Sequence, residues 1–207
     1  MTFKPSQLTG IVLAGGRSRR LGSTQSKLLI RIDGKQILIR IADVLKKITS
    51  ELILVVRQNQ NDDVLKLGIS LDMRVITDTD PYSGPLAGIH AGLTASTTPF
   101  SFVVAGDHPF ISTNLITAMA MAASHDRVSS PSAVIPQVDG LINPLHAIYP
   151  RKHWIAYFAQ VMSEGETSPR RAIEKAKAAN YPPMTIFTDE VIEQTDPHKI
   201  SLFDIDT

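Results

Sequence analysis

The segment Ile11–Gly22 reads IVLAGGRSRRLG and places an apolar run directly before two glycines and a basic cluster. Backbone N–H groups beside glycines can approach a phosphate closely, and arginine and lysine side chains compensate its charge. The residues of this pattern are Gly15, Gly16, Arg17, Arg19, Arg20 and Lys27. Their spacing fits neither the dinucleotide fingerprint G-x-G-x-x-G nor the P-loop G-x-x-x-x-G-K-[ST]. The pattern predicts a phosphate site, with a plain turn or a solvated basic loop as the alternative.

A second segment, VVAGDHPFIS, sets Asp107 directly after an apolar strand. Its carboxylate is expected at the same edge of the sheet as the glycines, where it would repel a phosphate unless a divalent cation stood between them. Mg²⁺ is bound in proteins by one or two carboxylates together with substrate phosphates. Asp107 is therefore predicted to be a Mg²⁺ ligand, with capping of the next helix as the alternative. The neighbouring His108 is expected to be structural or solvent-facing.

The third segment, TDTDPYSGPLAGIHAGL, carries Asp78 at the end of a further strand and Gly84 in a turn before a helix. Taken alone, it is typical of an ordinary turn.

Hydrophobic patterning predicts the elements that position these segments. Strands are expected at 8–15, 51–56, 73–78 and 101–107, and helices at 34–47, 88–96 and 113–124, the last capped by Thr113. Strands at 132–138 and 145–150 are expected to join at an Asp139–Gly140 hairpin turn, as an insertion or an antiparallel edge. The alternation predicts an α/β fold, a three-layer, Rossmann-like, mostly parallel sheet with helices on both faces. Ligands of such sheets bind at the carboxyl ends of the strands, the first of which is Leu13–Gly16.

Composition limits the classes of function that need to be considered. The chain has 207 residues, 43% of them apolar, which predicts one domain over residues 1–207. The net charge of +1 argues against nucleic acid or an anionic membrane as partner. The absence of cysteine excludes disulfides, thiolate nucleophiles and cysteine-based zinc sites. Because neither a signal peptide nor an apolar run of about 20 residues is found, a cytoplasmic protein is expected.

Together these segments resemble the molybdenum cofactor guanylyltransferases of the MobA-like nucleotidyltransferase family. LAGGRSRRLG, followed by Lys27, is similar to the family's first motif, L-A-G-G-x-x-S-R-R-M-G with a lysine shortly after it. GPLAGI and GDHPF match the guanylyl branch of the family, and NPLHAIY, SPRRAIEKA and LFDIDT resemble its later segments. The similarity covers nearly the whole chain in the same order.

The sequence also departs from the family pattern. Ser26 stands where the family has an aspartate before the lysine, and Asp204 and Asp206 replace two asparagines near the end. The polar residue after the second predicted strand, often asparagine in relatives, is Arg57 or Gln58 here. These changes bear on base specificity and phosphate binding more than on the class of reaction.

The resemblance implies a nucleotide-diphospho-sugar-transferase-like fold and transfer of GMP from GTP to the phosphate of molybdopterin, with release of pyrophosphate. Mg²⁺ on Asp107 is the implied cofactor. Arg19 and Arg20 are expected to hold the departing pyrophosphate, and Lys27 the α-phosphate or the incoming phosphate. The implied nucleotide-binding residues are Leu13, Ala14, Gly15, Gly16, Lys27, Asp78, Gly84 and Asp107. Transient contact with molybdopterin-synthesis proteins and acceptor molybdoenzymes is expected, and no contact with nucleic acid or membrane.

Three alternatives remain open at this stage. A molybdopterin cytidylyltransferase or a sugar-phosphate nucleotidyltransferase would keep the fold and change the substrates, although GPLAGI favours the guanylyl branch. A non-catalytic nucleotide-binding module would explain Ser26 and the altered ending. Retention of Lys27 and Asp107 argues against that module, because binding alone does not require a metal-binding carboxylate.

Overall fold

The computed structural model describes residues 4–14, 26–78, 84–124 and 131–205, which contain ten strands and seven helices. The strands are β1 (Leu8–Leu13), β2 (Arg31–Ile32), β3 (Lys35–Gln36), β4 (Glu51–Val56), β5 (Arg74–Thr77), β6 (Phe100–Ala105), β7 (Ala133–Val138), β8 (Leu141–Ile142), β9 (His146–Pro150) and β10 (Met184–Phe187). The helices are α1 (Ile37–Leu45), α2 (Asp62–Ser70), α3 (Pro85–Ala95), α4 (Thr113–Ser124), α5 (Arg151–Ser163), α6 (Pro169–Ala179) and α7 (Asp189–Glu193). In these ranges, no helix has the length and apolar character that crossing a bilayer requires.

The main sheet has the strand order β10-β7-β9-β6-β1-β4-β5, and β8 pairs with β7. The central strand β1 is parallel to both of its neighbours, β6 and β4. The edge strands β5 and β10 are also parallel to the strands they pair with. Among the described strands of this sheet, β8 and β9 alone run against their neighbours. The prediction of a mostly parallel, Rossmann-like sheet is confirmed.

Alternation of side chains along the central strands gives the sheet two buried faces. Leu8 and Val12 of β1 enter one hydrophobic core, whereas Ile11 and Leu13 enter the other. Helices α1, α2, α4 and α7 cover the first face, and α3, α5 and α6 cover the second. The three predicted layers are therefore present.

The strands after α4 differ from the predicted hairpin. The Asp139–Gly140 turn joins β7 to the two-residue strand β8, not to the strand expected at 145–150. That strand is β9, which lies between β6 and β7 and is antiparallel to both. All of its residues are buried, which suits a strand in the interior of a sheet covered on both faces. The expectation of an insertion or an antiparallel edge was wrong.

Two predicted helix starts and one predicted cap differ from the structure. Helix α3 begins at Pro85 rather than at residue 88. Helix α1 begins at Ile37 rather than at residue 34, because Lys35–Gln36 form β3 and pair with β2. The cap of α4 is Ser112 rather than Thr113, since the N–H of Leu115 donates to the Ser112 hydroxyl at 3.5 Å. Thr113 is instead the first residue of the helix.

The close packing of α3 on the sheet leads to a stability prediction. A Cβ added at Gly92 would lie 2.6 Å from Ile11 Cγ2, whereas one added at Gly88 would lie 3.5 Å from Leu13 Cδ2, an ordinary contact. Both sites lie within α3, so alanine gains similar helix propensity at each. We expect Gly92→Ala to unfold with a free energy about 1–3 kcal/mol lower than Gly88→Ala, measured by urea denaturation. Equal stability of the two variants would contradict this packing.

Candidate functional site

A cleft of about 1030 Å³ opens at the carboxyl ends of β1, β4, β5 and β6. The chain first builds β4 and β5 on one side of β1 and then crosses to β6 on the other side. This reversal makes the end of β1 a topological switch point, where open α/β sheets bind their ligands. Leu13 and Ala14, both predicted to contact a nucleotide, line the cleft at this point.

Backbone hydrogen bonds fix the end of β1 to both neighbouring strands. The N–H of Ala14 donates to Val55 O at 2.8 Å, and the N–H of Gly106 donates to Leu13 O at 3.0 Å. A side chain does not fit at position 106, because a Cβ there would lie 2.6 Å from Leu28 Cδ2 and 3.1 Å from Leu13 O. This close approach brings the following residue, Asp107, beside the end of β1.

Lys27 and Asp107 meet at this position. Lys27 begins a 3-10 turn over Lys27–Leu29, and Asp107 follows β6 by two residues. The Nζ atom of Lys27 lies 3.6 Å from Oδ2 of Asp107, and the two side chains are 20% and 28% exposed. Because Ser112 caps α4, Asp107 does not have the capping role that was its alternative. The structure thus brings the predicted phosphate ligand and the predicted metal ligand together.

The segment 196–205, here called the tail segment, returns to this pair. Lys27 Nζ donates to the carbonyl of Ile205 at 2.7 Å, and the N–H of Ile205 donates to the carbonyl of Asp107 at 3.0 Å. Asp204 lines the cleft beside them. Lys27 is therefore held between a carboxylate and a main-chain carbonyl.

Two sets of side-chain contacts anchor the tail segment. Asp196 accepts hydrogen bonds from the N–H and the hydroxyl of Ser201 at 2.9 and 2.5 Å. Lys199 pairs with Asp189 and, at 3.0 Å, with Glu193 of α7. The hydrogen bond from Lys199 lowers the pKa of Asp189, and the two carboxylates raise the pKa of Lys199. The stabilisation linked to Asp189 is therefore present at neutral pH and is lost as the pH falls through its lowered pKa.

Asp78 and Gly84 reach the cleft from the other side of β1, at the end of β5 and the start of α3. The N–H of Asp78 donates to Val56 O at 2.9 Å and so extends the pairing of β5 with β4. Gly84 precedes α3 with φ of 106°, in the region that favours glycine. Both predicted residues thus line the same cleft as Lys27 and Asp107.

A buried histidine pair lies next to this site. His108 is 4% exposed and His146 is fully buried, and their ring centroids are 5.6 Å apart. Burial lowers the pKa of both rings, and that of His146 well below its ordinary value. Within the described ranges, Nδ1 of His108 and both ring nitrogens of His146 lack a hydrogen-bond partner. His108 is therefore structural, one of its two expected roles, and adds no charge to the cleft at neutral pH.

Sequence reasoning missed most of the far wall of the cleft. Its apolar members are Phe110, Val138, Leu141, Ile142, Leu145 and Phe203, and polar residues such as Asp139, Asn143 and Lys199 lie among them. Its members come from several separate segments, so no local motif marks them. Leu141 and Phe203 are each 58% exposed, which is unusual for large apolar side chains but cannot be read from sequence.

Several predicted residues fall outside the part of the chain that the structure describes. They are Gly15, Gly16, Arg17, Arg19, Arg20 and Asp206.

The donor set of the cleft is compatible with a magnesium ion. Among the described residues, no group of three or more histidine, aspartate or glutamate side chains could hold a metal ion. Asp107 offers a partly exposed carboxylate, and Mg²⁺ commonly keeps several waters and binds through one or two carboxylates plus phosphates. A site with one protein carboxylate that is completed by substrate therefore fits Mg²⁺.

A mostly parallel sheet with a lysine and a carboxylate at its switch point defines a ligand-binding α/β protein. The chain belongs to the family of the MobA-like NTP transferase domain, whose sequence model matches residues 10–180. It is thus a member of a nucleotidyltransferase family, as predicted.

Individual relatives agree with this assignment. The chain is 36% identical over 150 residues to a protein of Methanosarcina acetivorans named probable molybdenum cofactor guanylyltransferase, covering 70% of this chain and 64% of that protein. It is 32% identical over 203 residues to a Chloroflexus aggregans protein of the same name, covering 97% of this chain and 89% of that protein. The first alignment thus spans just under two thirds of the relative's length. The crystal structure of molybdopterin-guanine dinucleotide biosynthesis protein A from Archaeoglobus fulgidus shares the fold. The two have a TM-score of 0.75 and 23% sequence identity, over 96% of this chain and 92% of that one.

The anchoring of the tail segment leads to a second prediction. Lys199→Met removes the ion pairs with Asp189 and Glu193 and should loosen the tail segment. We expect the amide proton of Ile205, which donates to the Asp107 carbonyl, to exchange with solvent several-fold faster in this variant at neutral pH. Native-state hydrogen exchange measures this, and Lys177→Met at the exposed end of α6 is the control. Equal exchange at Ile205 in both variants would show that Lys199 does not anchor the tail segment.

Proposed function

We propose that this chain is a molybdenum cofactor guanylyltransferase that transfers GMP from GTP to the phosphate of molybdopterin. A phosphate oxygen of molybdopterin forms a bond to the α-phosphorus of GTP, the bond from that phosphorus to the bridging oxygen breaks, and pyrophosphate leaves. Relatives that bear this name support the proposal, one of them along nearly the whole chain.

The observation that carries the proposal is the placing of Lys27 beside Asp107 in one large cleft. Its volume of about 1030 Å³ lies at the upper end of the range for single-ligand pockets, which leaves room for two substrates. GTP would occupy the half at the ends of β1, β4 and β5, and molybdopterin the half lined by β7, β8 and the tail segment.

The proposed chemistry requires no general base. A phosphomonoester has a second pKa near 6, so the attacking phosphate of molybdopterin is already largely a dianion at pH 7. The buried His108 and His146 are neutral and take no part in proton transfer. Catalysis then rests on aligning two anionic groups and stabilising the charge that moves between them.

Lys27 is suited to this role because its ammonium group is held in place before substrate binds. The carbonyl of Ile205 and the carboxylate of Asp107 orient Nζ, which can then donate to the α-phosphate or to the incoming phosphate. Asp107, together with phosphate oxygens, would hold Mg²⁺, which supplies neutralisation of phosphate charge. Gly15 and Gly16 are proposed to cradle the nucleotide phosphates through backbone N–H groups, and Arg19 and Arg20 to hold pyrophosphate.

The direct test of the function is a nucleotide panel with molybdopterin and Mg²⁺ in which pyrophosphate release is measured. We expect kcat/KM with GTP to exceed the values with CTP and ATP. Faster turnover with CTP would overturn the guanylyl assignment in favour of a cytidylyltransferase. Absence of turnover with every nucleotide would favour a non-catalytic module.

The role of Asp107 is tested by Asp107→Asn. Asparagine keeps the shape of the side chain and one acceptor oxygen but removes the formal charge that a hard divalent cation requires. We expect kcat to fall at least about a hundredfold, equivalent to about 2.7 kcal/mol, with thermal melting confirming the fold.

The matched control for this variant is Asp72→Asn. Asp72 is 90% exposed, and asparagine tolerates its positive φ of 56°. Activity of Asp107→Asn within a few-fold of the native protein, at the same Mg²⁺ dependence, would show that Asp107 does not hold the cation.

A further inference from the structure

Arg57 is a charged side chain in the cleft to which the contacts described above assign no role. It is the first residue after β4, lines the cleft and is half-buried. Its Nε atom is buried and, among the described residues, has no hydrogen-bond partner. A buried N–H group without a partner costs free energy, and a ligand that accepts a hydrogen bond recovers it.

The place of Arg57 in the sheet indicates which part of the nucleotide it meets. Asp107 follows β6 and Arg57 follows β4, and these two strands flank β1. Their ends are separated by two interstrand spacings, about 10 Å. A nucleotide whose phosphates lie at Lys27 and Asp107 extends its nucleoside away from that point. Asp78 and Gly84, which the resemblance implies as nucleotide-binding residues, line the cleft on the side of β4 and β5.

Small residues line the cleft near the end of β4. Gly84, Pro85 and Gly88 of the α3 start line this part of the cleft, together with Val55 of β4.

The guanidinium group selects among bases by its chemistry. Arginine presents N–H donors in a rigid fork and no acceptor. Guanine offers two adjacent acceptors, O6 and N7, which a guanidinium binds in bidentate fashion. Adenine presents its 6-amino donor at the same edge, so that one N–H of the arginine would face another donor.

We propose that Arg57 recognises the O6 and N7 edge of a 6-oxopurine base and so determines the preference of this chain for guanine over adenine. The inference rests on the proposed function, because guanine is the base of the proposed substrate. It makes Arg57 a specificity-determining residue and leaves the phosphates to Lys27 and the residues near it.

The experiment measures nucleotide dissociation constants by calorimetry on the full chain, without molybdopterin. The ligands are GTP, ITP, ATP, CTP and 7-deaza-GTP, which lacks N7. The native protein is expected to bind GTP and ITP alike, because both carry O6 and N7. It should bind ATP and 7-deaza-GTP about tenfold more weakly.

In Arg57→Met, the affinity for GTP should fall to the affinity for 7-deaza-GTP, so that the variant no longer distinguishes the two ligands. Arg57→Lys, which keeps the charge without the fork, should behave in the same way. Gln58→Ala, at the next and exposed position, is the matched control. Its dissociation constants for the five nucleotides should stand in the same ratios as those of the native protein. Melting temperatures confirm that each variant is folded.

The outcomes separate this inference from the proposed function. If Arg57→Met weakens the binding of all nucleotides by the same factor, Arg57 binds phosphate or ribose. If the dissociation constants of the variant match those of the native protein, Arg57 does not contact the base. Either result overturns the inference and leaves the guanylyltransferase proposal standing. Tighter binding of CTP than of GTP by the native protein overturns both.

Discussion

The cleft is organised around one ion pair. The ammonium group of Lys27 and the carboxylate of Asp107 must be held 3.6 Å apart at the end of a buried strand. Two such charges attract by about 4 kcal/mol at the effective dielectric constant of a protein surface, before the cost of removing them from water. Three stretches of chain must converge to form the pair, namely the 3-10 turn at Lys27, the end of β6 and the tail segment. The absence of a side chain at Gly106 allows this convergence, because Leu28 and the carbonyl of Leu13 occupy the space that a Cβ would need.

The charges of the cleft are local rather than part of a field around the whole molecule. The chain carries a net charge of only +1, and the two buried histidines beside the site are neutral at physiological pH. The proposed anionic substrates would therefore be attracted by a few positioned side chains. The half of the cleft near β4 and β5 carries Arg57 and Asp78, and the opposite half combines apolar side chains with charged ones such as Asp139 and Lys199.

Much of the sheet could be predicted because continuous apolar runs such as Glu51–Val56 have few other stable arrangements. Since the carboxyl ends of parallel strands share one edge, the same reasoning placed Asp78 and Asp107 on that edge. It failed for β9, because a fully buried strand fits an interior position in either direction, and the sequence does not show which strands it pairs with. It also failed for Ser112, which competes with Thr113 next to it for the same capping role.

Other parts of the site have no local sequence signature. The carbonyl of Ile205 contacts Lys27 from 178 positions away, and every residue possesses a carbonyl, so its type carries no information. The far wall is likewise gathered from separate segments, and only the folded chain reveals that Val138, Leu145 and Phe203 face one space.

The junction between the tail segment and the strand end is made on the tail side entirely by the N–H and C=O of residue 205. The isoleucine side chain contributes nothing to these two hydrogen bonds. Any residue except proline, which lacks the N–H donor, could form both hydrogen bonds. The isoleucine side chain has a separate role, because it packs against the first hydrophobic core. The same residue thus joins the cleft through its main chain and the core through its side chain, so an apolar replacement would preserve both connections.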